Sequence, residues 1–258
     1  MGIEILKKHL REKRAIKIDA GIKNIDLDNV AKICRAAQTS KASAVDVAAK
    51  KEVIEIAKKN TKLPVIASSI HPFEILEAVK AKADGIEIGN FEEAYKKGYK
   101  YSLEEVYDII LETLGLINNY DVFKCVTIPA CLSIDEQIKL AKKLQILDID
   151  LIQTEGLKQI DQKRQTVYVK DAQASIDNTS QLFRNISNPI MTSCSINEKN
   201  ALQAFQEGAS AVSIGSAVNK LSTEAEMVTA IAKIVGIISH RNSINREIAR
   251  TQTEISFS

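Results

Sequence analysis

Eight short apolar segments recur along the chain, each followed by a longer one whose apolar residues return at intervals of three and four. The strand-length runs cover 15–20, 44–47, 64–69, 85–89, 123–128, 150–154, 189–193 and 211–215. Between them, sets such as Val53, Ile54 and Ala57, or Ile75, Ala78 and Val79, mark one apolar face of a helix. Strands that alternate with helices cannot pair as tight hairpins, so the pattern demands a parallel sheet built from βα units. Eight such units in 258 residues match a (β/α)8 TIM barrel, whose usual length is about 250 residues. The prediction is therefore a single TIM-barrel domain over residues 1–258. The fifth strand, within FKCVTIP, is short and ends in Pro129, which a strand exit tolerates.

Three stretches depart from the minimal unit. A short helix over 91–97 is expected before a longer one over 103–117. The polar excursion 156–175 exceeds an ordinary βα loop and reads as a lid, a hairpin or a partner-binding element. The tail over 242–258 is polar enough to fray or to dock elsewhere.

Composition removes several classes of function. With 45% hydrophobic and 26% charged residues the chain can fill a core, which excludes a disordered protein. A net charge of +2 gives no one-sided field for nucleic acid, so no nucleic-acid partner is expected. The basic run from Lys7 to Arg14 reads as a solvated helix face. Cys34, Cys125, Cys131 and Cys194 lack metal-ligand or redox spacing and read as free thiols of a reducing compartment. No apolar run reaches the roughly 18–20 residues of a membrane span, and the start lacks a signal-peptide core. Leu6 also breaks the myristoylation pattern. No membrane partner is expected, and a homo-oligomer is compatible with the sequence.

In a barrel of this kind chemistry sits at the carboxyl ends of the strands. Alternation sends Ile16 and Ile18 toward the helices and therefore Lys17 and Asp19 inward. The same parity directs Asp46, Ser68, Glu87, Thr127, Gln153, Glu155, Thr192 and Ser213 inward. Lys17 among Asp19, Asp46 and Glu87 is the candidate catalytic cluster. Its amine could serve as a Schiff-base nucleophile, a proton shuttle or an orienting cation. The competing reading makes it a structural ion-pair centre that neutralises buried acids. A lysine at the centre competes with any metal for the same carboxylates, so no metal is expected. His71, before Pro72, reads as a loop residue at a helix start, and His9 and His240 as surface residues.

A second candidate lies late in the chain, where MTSCS and VSIGSAV end the last two strands. These loops bind phosphate in many barrels, through backbone N–H groups and a helix start. Ser193, Cys194, Gly215, Ser216 and Ala217 are the expected phosphate-binding residues. Nothing adjacent in sequence lowers the Cys194 pKa, so it is not read as a nucleophile. The cofactor is unknown; an FMN phosphate could occupy the same corner.

The segments RAIKIDAGI, SAVDVAA, PVIASSIHP, ADGIEIGNFE, PIMTSCSIN and AVSIGSAV, in this order, resemble an uncharacterised barrel family. It is the hypothetical chloroplast open reading frame twenty-three, or ycf23, family of plastids and cyanobacteria. The resemblance spans nearly the whole chain. It implies a plastid, chloroplast-stroma location, or the cytoplasm in a cyanobacterium, and carries no agreed catalytic residues. Three functions stay open: a lyase or isomerase acting on a phosphorylated small molecule, a flavin-binding oxidoreductase, and a non-catalytic metabolite-binding or partner-binding protein.

Overall fold

The computed structural model describes residues 2–89, 91, 94–95, 97–162 and 165–256. Strands β1 (Ala15–Asp19), β2 (Ala44–Ala48), β3 (Val65–Ser69), β4 (Gly85–Ile88), β5 (Phe123–Ile128) and β6 (Leu151–Thr154) come first. A hairpin of β7 (Leu157–Gln162) and β8 (Gln165–Lys170) follows, and β9 (Ile190–Thr192) and β10 (Ala211–Ile214) complete the set. All but the hairpin strands close into one parallel barrel in the order β1-β10-β9-β6-β5-β4-β3-β2. The eight runs read from the sequence are these eight strands, displaced by a residue or two at their ends.

Ten helices are described: α1 (Gly2–Arg11), α2 (Leu27–Thr39), α3 (Lys51–Asn60), α4 (Pro72–Lys80), α5 (Leu103–Leu116), α6 (Ile134–Leu144), α7 (Ala172–Phe183), α8 (Ala201–Gln206), α9 (Ser216–Asn219) and α10 (Glu224–Ser256). Two start with reciprocal capping boxes, Ser102 with Glu105 and Ser133 with Glu136, which satisfy backbone donors at the helix start. The outward strand residues pack against the helices in two apolar clusters, one around Ile16, Ile18, Val45 and Val212 and one around Ile86, Val126 and Ile152. Short strands buried on both faces need both coverings, which explains their near-continuous apolar character.

A third cluster fills the lower barrel, where Ala15, Ala44, Ile66, Phe123, Cys125, Leu151, Met191 and Ala211 meet Leu6 and Leu10 of α1. Helix α1 therefore plugs the amino-terminal end, and its basic residues belong to the outer side of that plug. His9, expected at the surface, is half-buried. Its Nδ1 lies 2.8 Å from Ser43 Oγ, which also accepts the Ile16 N–H at 3.0 Å.

The excursion after β6 is the antiparallel β7–β8 hairpin, paired from Leu157 with Lys170 to Gln162 with Gln165. At its base the Asp171 N–H donates to Gly156 O at 2.9 Å. A β-carbon on Gly156 would sit well inside van der Waals contact of Asp171 O and Ser175 N. The segment after Arg241, read as polar enough to fray or dock elsewhere, continues α10 as helix to Ser256. Much of the short helix expected over 91–97 lies outside the described residues.

Two predictions follow from packing. Burial, then the charge of Arg14, lowers the His9 pKa from 6.5 to about 4. The unfolded chain therefore binds the extra proton first, and stability falls as pH drops from 6.5 to about 4. Denaturant titrations across that window should show a loss of about 1–3 kcal/mol, and His9→Gln should flatten it. Gly156→Ala should destabilise by about 1–3 kcal/mol through overpacking, read as a lower melting temperature.

Candidate active site at the carboxyl ends of the strands

Because Ile16 and Ile18 pack outward, Lys17 enters the barrel, where only 5% of it is exposed. Its Nζ donates to Asp46 Oδ2 at 2.8 Å and to Glu87 Oε2, and lies 3.5 Å from Asp19 Oδ1. Each carboxylate has further support from a neighbouring strand. Ser68 Oγ contacts both Asp46 oxygens at 2.7 and 2.8 Å. Thr127 Oγ1 and Gln153 Nε2 donate to Glu87 Oε1 at 2.9 and 2.7 Å, and Ser213 Oγ donates to Asp19 Oδ2 at 2.7 Å. The four residues expected to form one cluster do so.

Burial alone would lower the Lys17 pKa, but the charges of Asp19, Asp46 and Glu87 hold it well above its ordinary value. Three acids around one ammonium cannot all stay charged in a buried site. Burial drives Asp46 well above the carboxylate range against the pull of Lys17. Burial also acts upward on Glu87, yet Lys17 and the hydrogen bonds from Lys17, Thr127 and Asp46 keep it low. Burial thus favours the neutral form of Asp46, and the Lys17 charge favours the ionised form of Glu87. Lys17 is a fixed cation in this floor.

Above the floor opens a cavity of about 610 Å³ lined by Asp19, Asp46, Glu87, Gln153, Ser193, Cys194, Gly215 and Ser216, among others. Four of the five expected phosphate residues line it. The fifth, Ala217, packs its side chain on the outer core instead. Ser193 Oγ is engaged at 2.6 Å by Thr154 O. Cys194 and Ser195 both adopt left-handed backbone, with φ of 65° and 57°. Asn197 and Asn200 hold that turn through Nδ2 bonds of 3.1 and 3.2 Å to Ser195 O. Among the described residues no hydrogen bond takes up the N–H of Cys194, Ser195, Ser216 or Ala217. Burial pushes the Cys194 thiol up to about 11, so it is neutral and unreactive at neutral pH.

Two residues stand differently from the sequence reading. Thr192 faces outward, its Oγ1 2.7 Å from Thr179 Oγ1 on α7, while Met191 points into the barrel. Ile190 and Met191 are both apolar, so alternation alone left the parity of β9 undetermined. His71 is the N-cap of α4, as expected of a helix start. Glu155 and Tyr95 also line the cavity, and neither was singled out for chemistry. The Gln153-x-Glu155 alternation was the available signal for the first; Tyr95 arrives from a long connection with no such signal. Lys23, Lys170 and Lys220 add positive charge around the rim. Among the described residues no helix is long and apolar enough to cross a membrane, and no group of His, Cys, Asp or Glu could hold a metal ion.

Comparison with known proteins follows the same division between fold and chemistry. A family model described as "Protein of unknown function (DUF561)" matches residues 3–244. The "Uncharacterized protein ycf23" of Cyanophora paradoxa is 33% identical over 227 residues, covering 87% of this chain and 93% of its own. Among solved structures, (S)-3-O-geranylgeranylglyceryl phosphate synthase from Thermoplasma acidophilum, in complex with its substrate sn-glycerol-1-phosphate, aligns with a TM-score of 0.60 at 16% identity. It covers 91% of this chain and 98% of its own. Orotidine 5'-phosphate decarboxylase from Pyrococcus horikoshii OT3 aligns with a TM-score of 0.56 at 13% identity, over 85% and 98%. At these identities the likeness carries the fold alone.

Removing the ammonium should expose its structural weight. Lys17→Met should destabilise by about 3–5 kcal/mol near pH 7, because buried acids lose their counter-charge. Those acids then have native pKa values raised above the unfolded ones, so their stability contribution is present at low pH and lost as pH rises. Urea titrations of the variant should show the deficit shrinking on acidification.

Proposed function

The chain belongs to the ycf23 family, and we propose that its barrel mouth binds a phosphorylated small molecule and acts on it as a lyase or isomerase. The observation that carries this reading is the pair of rim segments ending β9 and β10. They present the untaken amides of Cys194, Ser195 and Ser216 beside one cavity. Left-handed backbone at two successive non-glycine residues costs about 1–3 kcal/mol each, and such strain concentrates at ligand sites. Ser193 acts through its bond to Thr154 O, which anchors the loop, and Gly215 leaves open space in front of the α9 start. The structural neighbour solved with sn-glycerol-1-phosphate supports a phosphorylated ligand for this fold.

Lys17 fits the role of an electrostatic stabiliser better than that of a nucleophile. A firmly protonated amine has no lone pair to form a Schiff base, whereas a preorganised cation stabilises developing negative charge on oxygen. Asp46, sharing a proton with Glu87, is the local proton source, and Asp19 joins Lys17 to the phosphate side through Ser213. The same reading puts the protein in the plastid stroma, or in the cytoplasm of a cyanobacterium.

Calorimetry with inorganic phosphate and a panel of phosphate esters tests the corner. A β-carbon on Gly215 meets nothing closer than 3.7 Å, while its φ of -105° and ψ of -90° disfavour a β-branched residue, so Gly215→Ala is the test and its melting temperature the control. The added methyl group should weaken phosphate-ester binding about tenfold or more, roughly 1.4 kcal/mol or above. Absence of binding by the wild type, or binding that the variant leaves unchanged, would overturn the reading. Purification with a bound flavin would replace it with an oxidoreductase.

A further inference from the structure

The cavity has a second ionisable wall, distinct from the Lys17 floor and the phosphate corner. Glu155 lies just past the end of β6, two residues beyond Gln153 on the same inward parity, and is 6% exposed. Tyr95 Oη donates to its Oε2 at 2.8 Å, and the Ala130 N–H reaches the same oxygen at 3.5 Å. Its main-chain carbonyl accepts Asn178 Nδ2 at 2.9 Å from α7. The carboxyl is thus held from two separate segments, and its backbone from a third, while facing the cavity. A buried acid in a purely structural position is rarely worth its desolvation. In the ring of strands β6 adjoins β9, which carries the phosphate corner, and stands opposite β2, which carries Asp46. A ligand anchored at the β9–β10 rim therefore reaches down between Glu155 on one side and Asp46 with Glu87 on the other.

We propose that Glu155 is the proton-transfer residue of this cavity, positioned by Tyr95, and that the ligand is a ketose or aldose phosphate undergoing a 1,2-proton shift. The proposal rests on the phosphate reading above and assigns its reaction. The Glu155 carboxylate takes the proton from the carbon beside the carbonyl, and that C–H electron pair becomes the C=C bond of an enediolate. The carbonyl electrons move to oxygen, whose new charge Lys17 stabilises through the Asp46 and Glu87 carboxyl groups that it holds. The proton between Asp46 and Glu87 passes to that oxygen, and the neighbouring hydroxyl returns one to the pair. Glu155 then delivers its proton to the adjacent carbon as the second carbonyl forms. Atoms and charge balance with no external oxidant or reductant. Burial raises Glu155 to about 7, against the Tyr95 hydrogen bond and the charge of Lys170, which suits a group that must both take and give a proton near neutrality.

The test incubates the full chain in D2O with three-, five- and six-carbon ketose phosphates and follows deuterium at the carbon beside the carbonyl by NMR. Wild type should incorporate deuterium. Glu155→Gln should slow incorporation about a hundredfold or more, with its ester affinity and melting temperature kept, and Glu155→Asp should restore part of the rate. Tyr95→Phe removes a donor that lowers the Glu155 pKa, so the acidic limb of its rate profile should move to higher pH; a merely structural Tyr95 would change the rate without moving that limb. Wild type that binds these esters without exchange, or Glu155→Gln that exchanges at the wild-type rate, would overturn the proposal while leaving the phosphate reading intact. Equal exchange with unphosphorylated ketoses would keep Glu155 and remove the phosphate corner. Neither binding nor exchange with any ester would overturn both.

Discussion

Everything at the mouth of this barrel depends on one buried ammonium. Lys17 sits among three acids drawn from β1, β2 and β4. Taking these groups out of water carries a penalty of several kcal/mol per ion, so each must be satisfied by its neighbours. The result is a polar layer in which Ser68, Thr127, Gln153 and Ser213 each hydrogen-bond an acid. An apolar layer of Ala, Ile and Phe residues lies below it, sealed by α1. The sharp boundary between these layers keeps water from reaching the carboxylates from beneath and lets it approach only from the cavity.

The barrel could have been read from sequence because both of its signals are local. Alternation at Ile16-Lys17-Ile18 places the lysine inward without reference to any other segment, and the apolar faces of the helices follow from spacing alone. Asp46 and Glu87 were placed in the same cluster because their own strands obey the same parity. The reading failed where local signals were silent. Two adjacent apolar residues, Ile190 and Met191, fit either face of β9, and the choice between them is made by Thr192 bonding to α7. His9 carried no mark of burial, since its partner Ser43 is 34 residues away. Tyr95 reaches Glu155 across 60 residues, a pairing set by the closure of the barrel and by nothing near either residue. The hairpin was one of three alternatives for its segment, because a polar run of that length has the same composition in each.

The rim and the floor are joined by hydroxyl groups rather than by apolar packing. Ser193 Oγ donates to Thr154 O, and Thr154 Oγ1 lies 2.9 Å from Thr179 Oγ1, which in turn contacts Thr192 Oγ1. Ser175 completes the set at 3.0 Å from Thr154 Oγ1. Beta-branched Thr side chains lose little rotamer freedom on ordering, so such a chain is stiff. It ties β6, β9 and α7 into one body, immediately before Glu155 on one strand and Cys194 on the other. Gly156 continues that body into the base of the hairpin, where only a residue without a side chain fits against Asp171 and Ser175. The carboxyl of Glu155 and the strained amides of Cys194 and Ser195 are therefore held in one fixed relation. On the proposed reading, groups so fixed need no reorganisation when charge develops between them.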